Sequence, residues 1–270
     1  MVVLALLATL AFAASRPLPP PRSFVARELP AQAVLPQAGA SGVERPGTDP
    51  GPAWERDHKI SHMGFGKQYG DAAHPVVQKA IAVARDFGAV EILDLAAGRG
   101  VTALALKADD PQRRILATDI DGEGLKSAAH AVPTRVLDAA GDRLPDELRG
   151  RFDFVVAKDV YPFLTPRQTR RLLRNAADAL KPGGVMLITA PNTGSQLYRD
   201  ASAANRSTSH YQKLSLEQRA FVPTARTHFS FTDAKGLARR LRAAGLELVS
   251  SEDYGRAKGW LMAVARRKGE

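Results

Sequence analysis

From position 90 onward, short apolar runs alternate with amphipathic stretches, the pattern of strands and helices taking turns along a chain. Strands are predicted at 90–95, 114–119, 135–137, 152–157, 185–189, 246–250 and 260–265. Thr165-Pro166-Arg167-Gln168 reads as a capping box with proline at the first helical position. Leu172, Leu173, Ala176, Ala177 and Leu180 then share one helix face, and Lys181-Pro182-Gly183-Gly184 stops it. A later helix is expected behind Thr232 as its cap, with Leu237 and Leu241 turned inward and Gly245 at its end. Val77, Ile81 and Ala84 predict a leading helix that ends at Gly88. The last two strands are joined only by the polar stretch 251–258, too short for a parallel crossover, so as neighbours they must run antiparallel. The expected architecture is α/β: a mostly parallel sheet of seven strands closed by an antiparallel hairpin, with helices on both faces.

The first 52 residues break this pattern. Residues 1–14 are an apolar run with Ala-x-Ala at Ala11 to Ala13, the form of a signal-type leader, although no basic residue precedes Arg16. The run is too short to span a bilayer comfortably. Residues 15–52 hold nine of the eighteen prolines and read as extended linker. The expected division is therefore a leader and proline-rich linker over 1–52 and one domain over 53–270.

Composition narrows the chemistry. Of the 270 residues, 44% are hydrophobic, enough for one sizeable core. With no cysteine, disulfide scaffolds, thiol catalysis and Cys-ligated metal are excluded. The net charge of +10 favours an anionic partner, and the surplus sits mainly after Asn192. Clusters such as Arg239, Arg240 and Arg242 fit a solvated helix face better than a nucleic-acid stripe, so nucleic acid is the lesser reading.

The segment Val90 to Gly100 is a buried strand running into a small-residue turn that opens a helix. Glycines there allow backbone N–H groups to approach a ligand at the carboxyl end of the sheet. Gly98, Gly100 and Ala103 also fit the G-x-G-x-x-A dinucleotide pattern, which leaves an NAD(P)-dependent oxidoreductase open. Three acids then recur at strand ends: Asp94, Asp119 and Asp138. A carboxylate after the second strand can accept both hydroxyls of a ribose, and one after the third can accept from an exocyclic amine. Together they imply adenosine.

With these motifs the chain resembles the class I S-adenosylmethionine-dependent methyltransferases, notably the small-molecule group that includes ubiquinone and menaquinone biosynthesis enzymes. The resemblance covers about residues 75–267: LDLAAGRG, ATDID, LDAAGDRLP, FDFVVAKDVYPFL and ALKPGGVMLITAPN are similar to five successive family motifs. It implies a Rossmann-like fold and S-adenosyl-L-methionine as cofactor. It also implies Asp94 near the methionine amino group, Ala96, Ala97, Gly98 and Gly100 under the cofactor, Asp119 and Ile120 at the ribose, and Asp138 and Ala139 at the adenine. Ala96 and Ala97 stand where the family often has glycine first, and Pro162-Phe163 replaces a common Glu-His pair, which speaks against metal assistance.

Transfer from a sulfonium needs mainly alignment, and a hydroxyl nucleophile needs a base. The candidates for catalytic work are His228, Tyr161 and Asp159, the last in a turn where Tyr161 and Phe163 would wall the acceptor. Residues 54–74, with His58, His62, Phe65, Tyr69 and then His74, suit a lid, and no metal site is expected from these histidines. The connection 192–226 is a second substrate element. The expected acceptor is a small, anionic or quinone-like molecule methylated on oxygen or carbon. An intracellular cofactor combined with a leader implies an organelle, and Phe24-Val25-Ala26 resembles the aromatic start of plastid transit peptides, the cytoplasm being the alternative. A catalytically inactive methyltransferase-fold module that binds RNA or protein is the non-enzymatic rival.

Overall fold

The computed structural model describes residues 72–196, 198, 199, 202, 230–255 and 258–269. The leader, most of the 54–74 lid, His210, Tyr211 and His228 lie outside the described residues.

The chain enters through α1 (Pro75–Asp86), with His74 as its cap and proline at its start. It continues through β1 (Glu91–Leu95), α2 (Val101–Asp109), β2 (Arg114–Asp119), the single turn α3 (Gly122–Leu125) and β3 (Thr134–Val136). The second half holds β4 (Phe152–Ala157), α4 (Pro166–Ala179), β5 (Leu180–Pro191), α5 (Ala234–Ala243), β6 (Leu246–Tyr254) and β7 (Trp260–Arg267). The seven strands lie in the order β3-β2-β1-β4-β5-β7-β6. All neighbours through β5 are parallel, while β7 runs antiparallel to both β5 and β6. The antiparallel pair is as predicted, and β7 inserts between β5 and β6.

Strand residues alternate between two cores. Leu93, Val155, Met186 and Ile188 face Leu172, Leu173, Leu237 and Leu241 of α4 and α5. Ile92, Phe154, Val156 and Leu187 face Val76, Ala80, Ala103 and Leu106 of α1 and α2. Because both faces are covered, the central strands read as nearly continuous apolar runs. The capping box at Thr165 is present in full.

Among the boundaries that differ from expectation, three have a clear local cause. The cap of α5 is Asp233, whose carboxylate accepts from Gly236 N at 2.5 Å, and not Thr232. A charged carboxylate outcompetes a hydroxyl at a helix N-terminus, and Thr232 is committed elsewhere, bridging Asn192 and accepting from Arg240 at 2.8 Å. β5 begins at Leu180, because Lys181-Pro182-Gly183-Gly184 forms an irregularity within the strand, with Gly183 at φ 79°. β6 continues to Tyr254, since β7 offers it partners along that length.

Candidate active site

β6 runs in the same direction as β5, so the carboxyl ends of six strands and the start of β7 meet along one edge. On the β1 side the chain leaves Leu95 through Ala96, held at φ 57°. Ala97 N donates to Thr118 O at 2.8 Å, and Gly100 N donates to Ala97 O at 2.8 Å. The two glycines of this turn serve different ends. A Cβ on Gly100 (φ 72°) would lie 2.4 Å from Ala128 Cβ, so Gly100 is needed for packing. Gly98 (φ 56°) has nothing within 4 Å of a built Cβ, so its outer face is open to a ligand.

The strand-end acids are anchored on backbone N–H groups. Asp119 accepts from Gly98 N at 2.7 Å and from Asp121 N at 2.9 Å, which fixes its carboxylate beside the turn. Burial raises its pKa against the pull of those donors. Asp94, 1% exposed, accepts from Ala103 N at 3.2 Å in the first turn of α2. Burial pushes its pKa up to about 7, with the Lys158 charge and the Ala103 N–H opposing. Asp138 accepts from Ala140 N at 2.9 Å and closes a tight turn. That turn is clamped by a residue the sequence reading passed over: buried Asn175 of α4 donates to Ala139 O and Gly141 O, both at 3.0 Å. Its only sequence signal is a lone amide on the apolar face of α4.

These residues fit S-adenosylmethionine. An open glycine face, pinned carboxylates with lone pairs to spare and a buried acid that a cation would relieve are what its nucleoside and ammonium require.

Past β4 the arrangement changes. Asp159 adopts φ 57°, its N–H donates to Thr189 Oγ1 at 2.7 Å, and Thr189 Oγ1 donates back to Asp159 Oδ1 at 2.9 Å. Tyr254 OH lies 3.4 Å from the same oxygen, and Lys158 Nζ pairs with Asp159 Oδ2. The Tyr254 ring meets His74 edge-on at 6.1 Å between centroids and Trp260 at 6.3 Å.

The profile of a protein family described as a methyltransferase domain matches residues 53–251. The chain belongs to that family. No curated protein matches this methyltransferase. Among solved structures it is similar to the Burkholderia thailandensis 1,6-didemethyltoxoflavin-N1-methyltransferase, solved with 1,6-didemethyltoxoflavin and S-adenosylhomocysteine. The identity is 19%, the match covers 80% of this chain and 88% of that one, and the TM-score is 0.56. A Thermotoga maritima S-adenosylmethionine-dependent methyltransferase, described as a possible histamine N-methyltransferase, matches at 17% identity over 80% of this chain and 99% of that one, TM-score 0.54. An O-methyltransferase family protein from Burkholderia thailandensis matches at 18% identity over 80% of this chain but 64% of that one, TM-score 0.58. At these identities the likeness is one of fold. The methyltransferase depends on S-adenosylmethionine as cofactor, and the family match gives the oxidoreductase and non-catalytic readings no support.

Asp94, Ala96, Ala97, Gly98, Gly100, Asp119 and Ile120 are brought together around the β1 and β2 ends, with Asp138 and Ala139 beyond β3. Tyr161 departs from its expected part as an acceptor wall and base. It is 1% exposed, burial raises its pKa, and the Thr232 and Arg240 side chains face its hydroxyl. The tyrosine whose hydroxyl lies beside the Asp159 carboxylate is Tyr254. Among the described residues no group of three or more His, Cys, Asp or Glu side chains could hold a metal, and no helix is long and apolar enough to cross a membrane.

Proposed function

We propose that this methyltransferase acts on oxygen or carbon of a small acceptor, anionic or quinone-like, bound past the ends of β4, β5 and β6. The observation that carries the reading is the grouping of His74, Tyr254 and Trp260 beside the Asp159 turn, with ring centroids 6.1 and 6.3 Å apart and the Tyr254 hydroxyl 3.4 Å from the carboxylate. Flat apolar walls with a few polar tips suit a planar molecule bearing one or two oxygens.

Bound S-adenosylmethionine supplies a methyl group that is already electrophilic. The chain's own tasks are to bind, orient and exclude water. Asp94 would meet the cofactor's ammonium, Asp119 its ribose hydroxyls and Asp138 its adenine amine, while Gly98 leaves room for its approach. On the acceptor side, Thr189 and Tyr254 hold the Asp159 carboxylate at the edge of the sheet. His228 is the candidate base in the 192–226 region's continuation: His228→Ala is expected to lower turnover by about two to four orders of magnitude at nearly unchanged cofactor affinity. Equal turnover would assign it to structure.

The deciding experiment is incubation of the protein with labelled S-adenosylmethionine and an extract of the source compartment. Label is expected in a small molecule; label confined to RNA or protein overturns the acceptor class. The same proposal takes 1–52 as a leader to an organelle, a plastid by its two-part form, and 53–270 as the enzyme with 54–74 as its lid. Composition supports it, and a fluorescent fusion of 1–52 that stays cytosolic would refute it.

A further inference from the structure

The outer faces of α4 and α5 carry charge of one sign. Arg167, Arg170, Arg171 and Arg174 recur at helical spacing along the side of α4 opposite its buried Leu172, Leu173 and Ala176. Lys235, Arg239 and Arg242 do the same on α5, while Arg240 turns inward to Thr232. The two helices touch and bury their leucines in one core, so the stripes lie side by side over a single face of the sheet. α5 contains no acid, and the one acid of α4, Asp178, lies at its far end facing Arg149. Arg171 pairs with Asp142, whose backbone carbonyl accepts from Arg174. Among the described residues the exposed Arg167, Arg170, Arg174, Lys235, Arg239 and Arg242 have no carboxylate partner.

Around α1, α2 and α3 the bases are matched instead: Lys79 with Glu252, Arg85 and Arg113 with Asp109, Arg114 with Glu91 and Lys126 with Glu123. Like charges three and four residues apart weaken a helix, and a base in the first turn opposes its dipole. Both helices carry that cost, with Arg167 and Lys235 in their first turns. An anionic surface would remove it. What the face lacks selects among such surfaces. Neither helix exposes a large hydrophobic or aromatic side chain, so a protein partner finds no anchor to bury and single-stranded nucleic acid no stacking platform. A broad face of arginines suits lipid phosphates and carboxylates spread over a plane.

We propose that the joint outer face of α4 and α5 docks the methyltransferase reversibly on an anionic lipid bilayer. α4 starts just past the 161–163 turn and α5 just past the bridge from Thr232 to Asn192. Both stripes therefore begin at the carboxyl edge of the sheet, and docking keeps that edge next to the bilayer. The contact is electrostatic, with no helix inserted, and salt releases it.

The test floats the full chain with vesicles of phosphatidylcholine, alone or with about one third phosphatidylserine. The apolar run 1–14 acts on both kinds of vesicle alike, so the anionic increment is the readout. Wild type should partition about a hundredfold more strongly to the anionic vesicles, and raising salt from about 0.1 M to about 0.5 M should remove the increment. Arg167→Gln, Arg170→Gln and Arg174→Gln together should weaken it about a hundredfold, roughly fivefold per charge, at unchanged S-adenosylhomocysteine affinity. Lys79→Gln, Arg114→Gln and Lys126→Gln remove the same net charge from elsewhere and should change it less than about twofold. Equal partitioning of wild type to both vesicles overturns the proposal without any variant. So does an equal loss in the two triple variants, which would make net charge and not the face responsible. Retention on double-stranded RNA with no anionic increment on vesicles overturns it in favour of nucleic acid.

Discussion

The two halves of the sheet edge hold their acids in opposite ways. On the β1 to β3 side the three acids are held by backbone N–H donors: Asp94 by Ala103 across 9 residues, Asp119 by Gly98 across 21, and Asp138 by Ala140 across 2. On the β4 to β6 side the partners of the Asp159 carboxylate are side chains: the adjacent Lys158, Thr189 at 30 residues' separation and Tyr254 at 95. Backbone donors cannot be exchanged by substitution, so the first half presents a geometry that tolerates drift in sequence. Side-chain partners can be exchanged one at a time, so the second half, the proposed acceptor side, can change while the first half stays in place.

The largest expected effect comes from Asp94, where function and stability pull apart. Its folded pKa of about 7 lies above its value of 3.8 in an unstructured chain. Between those two pH values the folded state keeps a proton that the unfolded state has lost, so stability falls as pH rises and stays lowered above 7. Asp94→Asn removes that loss. Its stability at pH 8 should exceed that of wild type by on the order of 2–4 kcal/mol, read as a higher melting temperature, with no gain near pH 4. S-adenosylmethionine binding by calorimetry should meanwhile collapse. A variant less stable than wild type at pH 8 would break the assignment of Asp94 as a buried acid awaiting a cation.

Asp119→Ala should come next. The loss of charge-assisted ribose hydrogen bonds is worth about 1.5–3 kcal/mol, a tenfold to hundredfold weaker S-adenosylhomocysteine affinity. Tyr254→Phe should leave that affinity unchanged, and if both substitutions weaken it equally the two halves are not separate. Asn175→Ala strips one buried and one half-buried carbonyl of their side-chain donor and should cost about 1–3 kcal/mol in denaturant unfolding. The smallest effect is a gain: Ala96 sits at φ 57°, and Ala96→Gly should stabilise the protein by roughly 0.5–1 kcal/mol. An unchanged denaturation midpoint would show that the turn carries no strain.

The same division explains what could be read from the sequence. β2 and β4 match their predicted bounds because apolar runs ending in turn residues define a buried strand locally. The cofactor turn was legible because its glycines and acids are neighbours in the chain. Tyr254 was hidden in a stretch, 251–258, that looks like a polar loop; it becomes strand only because β7 lies alongside. Asn175 was hidden by an otherwise apolar helix face, and Tyr161 looked like a wall because sequence gives no sign of which way a turn residue points. The insertion of β7 was likewise invisible, since the shortness of a hairpin determines direction and not order.

That insertion governs when the fold can be completed. β7 hydrogen-bonds to β5 on one side and β6 on the other, and among the described residues β6 has no other strand beside it. A chain emerging from a ribosome in sequence order exposes the open edge of β5 and an orphaned β6 until 260–267 has been delivered. Tyr254 and Trp260, part of the proposed acceptor wall, come together only in that last step. An interrupted chain can thus bring together the β1 and β2 ends while the ring contact of the proposed acceptor wall waits for the final strand to be threaded into the gap.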